Sequence, residues 1–305
     1  MMSQGHDGVW TGTWTALVTP FCDDAPRSLD LEALERVVEQ QIAGGIEGLV
    51  ACGTTGESVT LSEDEWRTVV SEVKRAARGR VPVIAGTGSN STARTIEATR
   101  AARDLGVDGA LIVTPYYNKP TQDGLLAHYR AVLDAVPLPI VLYNVPGRTA
   151  CNLLPATVAT LASHPQVVAV KEASGSLEQV QTILERTGGT FPVLSGDDAL
   201  AVPIYSVGGH GIISVVSNPA PALTAALYRD ARAGRVDAAA QGQVALRALI
   251  AALFCESNPQ PVKMAMHLLG LIAPCTRLPL LTASPSATEA VRAAMAQLGL
   301  LPGGR

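Results

Sequence analysis

Lys171 occupies a position that asks for a chemical explanation. The four residues before it, 167–170, read Val-Val-Ala-Val. An unbroken apolar, β-branched run of that kind is the signature of a strand buried on both faces, as in a parallel sheet. An ammonium group at the end of such a strand is costly to desolvate unless it is paired. A desolvated lysine escapes the cost by releasing its proton, and its pKa falls. The neutral amine is a nucleophile that adds to carbonyl carbons and forms Schiff bases. The plain alternative leaves Lys171 at the mouth of the strand, reaching solvent and paired with Glu172. The segment alone does not decide between the two.

Other residues with chemical capacity recur at comparable places. Thr54 and Thr55 sit in a small-residue turn, Gly-Thr-Thr-Gly at 53–56. Such a turn offers backbone N–H groups and two hydroxyls, which suit a carboxylate. Tyr116 and Tyr117 follow a short apolar run at 109–113, Tyr143 ends another, Arg148 lies just beyond it, and Gly196 follows a third. Taken singly, each has an ordinary structural explanation: a loop threonine, a half-buried tyrosine with its hydroxyl in water. As a set they resolve into one chemistry. Imine formation needs several proton transfers, which a phenol such as Tyr143 can carry if hydroxyls link it to water. Thr55 and Tyr117 are candidates for that link. Arg148 presents a planar fork for a second carboxylate. The set suits a 2-keto acid on Lys171 and a second acidic, carbonyl-bearing partner. No metal or other cofactor is called for, because the iminium is itself an electron sink. The histidines, His6, His128, His164, His210 and His267, lack ligand spacing.

These residues need a scaffold that gathers strand ends. Short apolar strands are expected at 13–18, 48–51, 81–85, 109–113, 139–143, 167–170, 192–194 and 211–216. Helical stretches at 30–44, 62–78, 91–105, 122–135, 155–162, after 176, and at 198–207 alternate with them. Ser62 with Glu65 and Ser176 with Gln179 have capping-box spacing at two helix starts. Eight strand–helix alternations predict an α/β fold of the (β/α)8, or TIM, barrel type, in which chemistry sits at the carboxyl ends of the strands. A doubly wound sheet would show a glycine fingerprint after its first strand, and Thr19-Pro20-Phe21 offers none. From about residue 219 onward the pattern is helical, with an alanine-rich stretch at 231–252 continuing toward 269. The expected division is therefore a barrel over 1–218 and a helical region over 219–305 packed on it, forming one structural unit.

Composition narrows the field further. Apolar residues make up 47% of the chain, ample for a large core, and the net charge of −4 gives no basic footprint for nucleic acid. No apolar run reaches the length of a membrane span. The start, residues 1–10, is polar, lacks an apolar signal core and reads as a loose tail; residues 300–305 read as a frayed end. Five dispersed cysteines without CxxC spacing argue against a disulfide framework or a zinc site. A reducing cytoplasm is the expected compartment.

Several motifs, in order, resemble those of the dihydrodipicolinate synthase family, within the wider group of pyruvate-dependent lyases and aldolases. They are Gly-Thr-Thr-Gly-Glu-Ser at 53–58, Tyr-Asn-Val-Pro-Gly-Arg-Thr at 143–149, Lys-Glu-Ala-Ser at 171–174, Ser-Gly-Asp-Asp at 195–198, Gly-Gly-His-Gly-Ile-Ile-Ser at 208–214 and Asn-Pro-Gln-Pro-Val-Lys at 258–263. Arg148 favours the synthases over relatives such as N-acetylneuraminate lyase. The resemblance implies a lyase of class I aldolase type in diaminopimelate and L-lysine biosynthesis, joining pyruvate to L-aspartate 4-semialdehyde. It implies that Lys171 forms the imine, Thr54 and Thr55 hold the pyruvate carboxylate, and Tyr143 relays protons through Thr55 to Tyr117 of a neighbouring subunit. Arg148 would bind the semialdehyde carboxylate, and Gly196 and Ile213 would line the site through their backbones. A homotetramer, built as a dimer of dimers, is the implied assembly. Many members bind L-lysine as a feedback inhibitor at the tight dimer interface. Ser58, Asn90 and Tyr116 match that pocket. Glu63 and Trp66 stand where lysine-sensitive bacterial members often have histidines, and Arg94 where many have a glutamate. A guanidinium there repels the inhibitor's ammonium, so inhibition is expected to be weak or absent.

Overall fold

The computed structural model describes residues 10–301. Eight parallel strands close into a barrel in simple sequence order: β1 (Gly12–Ala16), β2 (Gly48–Ala51), β3 (Val83–Gly86), β4 (Gly109–Val113), β5 (Ile140–Asn144), β6 (Val167–Glu172), β7 (Val193–Ser195) and β8 (Gly211–Ser214). Pairing of β1 with β8 seals the cylinder. Nearly every strand position is buried, as expected where the barrel interior covers one face and helices the other.

Around the barrel run α1 (Leu31–Ala43), α2 (Glu63–Ala77), α3 (Thr92–Asp104), α4 (Gln122–Ala135), the single turn α5 (Pro146–Thr149), α6 (Pro155–Ala162), α7 (Leu177–Arg186) and α8 (Ala201–Ser206). Then follow α9 (Pro221–Arg232), α10 (Val236–Leu253), α11 (Gln260–Leu268) and α12 (Pro285–Gln297). Of these, α9 packs on β1 and α8, α10 on α9 and α12, and α11 on α10 and α12. No helix among the described residues is long and apolar enough to cross a membrane.

The barrel's lower end is plugged. Trp10 and Trp14 stack nearly parallel, with ring centroids 5.7 Å apart. Trp14 is fully buried, and a Cβ on Gly48 would fall 2.3 Å from its ring, so only glycine fits at the start of β2. The outer indole, Trp10, reaches across to Gly109 at the start of β4.

Several expectations need correction. Trp10 is not part of a loose tail but buried in the barrel floor; residues 1–9 lie outside those described. Leu300 and Leu301 pack against the core, while 302–305 lie outside the described residues. The capping box at Ser62 is complete in both directions, but the one at Ser176 is only half made. Gln179 turns its amide toward Glu172 and Asn152 instead, because buried polar groups there need partners. The helix expected at 198–207 is a 3-10 turn, Asp198–Leu200, followed by α8. The alanine-rich helix does not run on toward 269: it stops at Leu253, and a new helix, α11, starts after Pro259.

Candidate active site

Side chains alternate along a strand, so β6 points Ala169 and Lys171 into the barrel and Glu172 outward. The Glu172 carboxylate accepts hydrogen bonds from Asn144, Gln179 and the Ser174 N–H. The pairing of Lys171 with Glu172 is thereby excluded. Lys171 lies within β6 and is buried, 6% exposed. It is in register with Tyr143 on β5, and its Nζ stands 4.4 Å from the centre of the Tyr143 ring. Burial, opposed by the Asp198 charge and aided by that of Arg148, lowers the Lys171 pKa from 10.5 to about 8. The ring face also favours the ammonium, but weakly compared with burial. The amine therefore spends a substantial fraction of its time neutral near pH 8.

Tyr143 is equally enclosed. Burial raises its pKa, while the Arg148 charge and a hydrogen bond with the Thr54 side chain lower it. The phenol is accordingly neutral at working pH, and it acts by receiving and passing on protons rather than as a standing phenolate. The two threonines differ in what they touch. Thr54 meets the phenol, whereas the Thr55 Oγ accepts from the Asn258 amide at 2.9 Å. This reverses the order expected from the sequence: the hydroxyl beside Tyr143 is that of Thr54, not Thr55. With its oxygen occupied by Asn258, Thr55 keeps its own proton free to donate into the cavity.

Thr54, Thr55, Tyr143, Arg148, Lys171 and Gly196 all line one cavity of about 400 Å³ at the carboxyl ends of the strands. Arg148 is carried there by α5, the one-turn helix that the sequence pattern did not reveal. Gly196 leaves no room for a side chain: a Cβ would lie 2.7 Å from the Ala173 Cβ and 3.0 Å from the Lys171 Cε. An adjoining apolar cavity of about 350 Å³ shares Thr54, Tyr143, Arg148 and Asn258 and adds Leu280 and Tyr116. Ile213 is not among the lining residues; it packs in the barrel interior, in register with Trp14. Tyr117 does not join the cavity of its own chain. Its backbone is left-handed (φ 75°) and the residue is 88% exposed, pointing away from the barrel.

Two residues escaped the sequence reading. Asp198 is fully enclosed and binds the Ser214 hydroxyl at 2.5 Å and the N–H groups of Val215 and Val216. It ties the turn after β7 to the end of β8 and places a carboxylate behind Lys171. Asn258 comes from the segment before α11 and lines both cavities, and its Oδ1 is buried without a partner among the described residues. Their only sequence signal is their place in short motifs.

Ser58, Glu63, Trp66, Arg94 and Tyr116 do line a common, more open cavity of about 710 Å³; Asn90 does not. The Glu63 carboxylate is bound by Arg67 at 2.7 Å, and the Trp66 indole N–H donates to the Gly86 carbonyl. Glu97, one turn after Arg94, adds a carboxylate to the same wall.

The profile of the dihydrodipicolinate synthetase family matches residues 10–298. A 4-hydroxy-tetrahydrodipicolinate synthase of Sorangium cellulosum is 50% identical over 289 residues, covering 94% of this chain and 96% of that one. The crystal structure of dihydrodipicolinate synthase from Thermotoga maritima superimposes with a TM-score of 0.94 at 42% identity, over 96% of this chain and 100% of its own. A chloride-inhibited dihydrodipicolinate synthase from Acinetobacter baumannii, solved in complex with pyruvate, gives a TM-score of 0.93 at 43% identity, over 96% and 100%.

Proposed function

Since the chain belongs to the dihydrodipicolinate synthetase family, we propose that the cavity around Lys171 carries out that family's condensation, with a role for each residue as follows. The reaction joins pyruvate to L-aspartate 4-semialdehyde and feeds diaminopimelate and L-lysine biosynthesis. The neutral Lys171 amine adds to the keto carbon of pyruvate and water leaves, giving the imine. Thr55, through its free proton, and the N–H groups of the turn hold the pyruvate carboxylate. Loss of a methyl proton yields the enamine, whose carbon attacks the aldehyde of the second substrate. The amino group of that substrate then closes the ring onto the former keto carbon and expels Lys171 as the free amine. Tyr143 passes protons in each step, now through Thr54. Arg148, at the cavity wall, binds the carboxylate of the semialdehyde. The imine is the electron sink, so the chemistry draws on no metal or organic cofactor.

The reading extends to the assembly. Tyr117 is read as completing the relay in a second copy of the chain, within a dimer-of-dimers tetramer; its exposure and left-handed backbone support that reading. The free cysteines fit a cytoplasmic setting. The open cavity beside Ser58 is read as a remnant of a lysine-binding pocket. Arg94 there repels an ammonium, and Glu63 is already committed to Arg67.

The observation that carries the reading is the buried Lys171 amine over the Tyr143 ring, facing one cavity with the Thr54–Thr55 turn and Arg148. Pyruvate followed by borohydride should leave a reduced pyruvyl adduct on Lys171, seen by intact-protein mass spectrometry and lost in Lys171→Ala. Turnover of the semialdehyde should accompany it. A folded protein that forms no adduct would rule the reading out.

A further inference from the structure

Lys263 and Glu57 form an ion pair whose side chains are 0% and 1% exposed, with Nζ 2.5 Å from Oε1. Each is fully engaged. The Lys263 ammonium also donates to the Cys275 carbonyl at 2.7 Å and rests 4.0 Å over the Phe21 ring. The second Glu57 oxygen accepts the Arg277 N–H at 2.9 Å. A buried pair of this kind rarely adds net stability over an apolar pair, and its best-attested use is to fix register.

The register fixed here is that of the turn bearing the two threonines. The turn is bracketed by two non-glycine residues in the left-handed region, Cys52 (φ 53°) and Glu57 (φ 52°), a conformation that needs outside support. Two grips supply it from one segment of the helical region. Asn258 holds the Thr55 hydroxyl, and Lys263, at the first turn of α11, holds the Glu57 carboxylate. The grips fall on either side of Gly56, some 200 residues away in sequence.

We propose that segment 258–263 is a brace that sets the carboxylate-binding turn for pyruvate, with Glu57 and Lys263 as positioning residues. The brace rests on the reading of Thr54 and Thr55 given above. It also assigns work to the helical region: α11 sets the geometry of a turn that belongs to the barrel.

The test is Glu57→Gln combined with Lys263→Met, which removes both charges and leaves neither ion unpaired. With the fold checked by circular dichroism, pyruvate KM should rise about 10-fold, the scale of a lost charge-assisted hydrogen bond. The KM for the second substrate should not change, and the borohydride adduct should still form fully at saturating pyruvate. A merely structural pair would act differently, because a smaller folded fraction lowers the maximal rate and leaves KM alone. Should the double variant not fold, Glu57→Gln with Lys263→Gln also removes both charges, lets the two amides bond each other while still accepting the Arg277 N–H and donating to the Cys275 carbonyl, and gives the same readout. A folded variant with wild-type pyruvate KM, in a protein whose wild type does form the adduct, overturns the brace. Absence of adduct in the wild type overturns the underlying site reading and the brace with it.

Discussion

Removing the charge of Asp198 or of Arg148 should move the pH dependence of imine formation in opposite directions. Burial and the two charges together bring Lys171 from 10.5 to about 8. At pH 7 roughly one amine in ten is then neutral, against roughly one in three thousand for an ordinary lysine, a gain of about 300-fold in nucleophile. Below pH 8 the rate of pyruvate addition should therefore rise tenfold per pH unit and level off just above it. Asp198 favours the ammonium form of Lys171 and Arg148 disfavours it. Asp198→Asn, which can keep the contacts to Ser214, Val215 and Val216, should shift the rising limb to lower pH. Arg148→Met should shift it to higher pH. Each shift should approach about one pH unit, the usual scale for a nearby charge. The assay is timed borohydride quenching at subsaturating pyruvate across the pH range, with adduct counted by intact mass, so the second substrate never enters. A wild-type limb near 10.5, or a shift to higher pH in Asp198→Asn, would refute the account of how Lys171 is activated.

The same lowered pKa has a stability consequence. Between pH 8 and 10.5 the unfolded chain holds a proton on Lys171 that the native chain lacks, so stability rises with pH there, and below 8 the full penalty is present. Lys171→Met should therefore stabilise the fold at pH 7 by about 3 kcal/mol in urea unfolding while abolishing the adduct. A variant no more stable than wild type would contradict this. Gly196→Ala should slow imine formation at least 10-fold, because the new methyl would lie 3.0 Å from the Lys171 Cε; an unimpaired adduct rate would show that the lysine yields without cost. Thr54→Val should lower kcat by about 100-fold through the proton relay, while Thr55→Val should chiefly raise pyruvate KM. The opposite pattern would restore the order expected from sequence. A dose–response curve should show no inhibition by sub-millimolar L-lysine, and strong inhibition would overturn the reading of Arg94.

Much of the scaffold was legible because apolar runs and helical periodicity are local. β2 and β4, and α4 and α6, have the expected bounds. The failures come where tertiary demand outbids local preference. Gln179 leaves its cap to serve Glu172, and Asp198 spends its side chain on β8 while its neighbours make only a 3-10 turn. In the site, Lys171, Tyr143, Arg148 and Gly196 were readable because strand ends fall at fixed places in a barrel. Which of Thr54 and Thr55 meets Tyr143 was not. Adjacent residues of one type differ only in direction, and that direction is set by the left-handed turn and by Asn258. Ile213 shows the same limit: alternation puts it in the barrel interior, and only the structure sets its register against Trp14.

The stacked indoles of Trp10 and Trp14 carry a kinetic meaning. A vessel sealed at the floor and open at the rim fills and empties like a stack of plates. On the proposed chemistry pyruvate must bond to Lys171 before its partner can react, and with the floor filled by the two indoles both reach the amine from the rim. Whatever forms must leave over the rim before the next pyruvate can descend. The order of reaction comes from the bond to Lys171, and the filled floor confines the traffic to one end of the barrel.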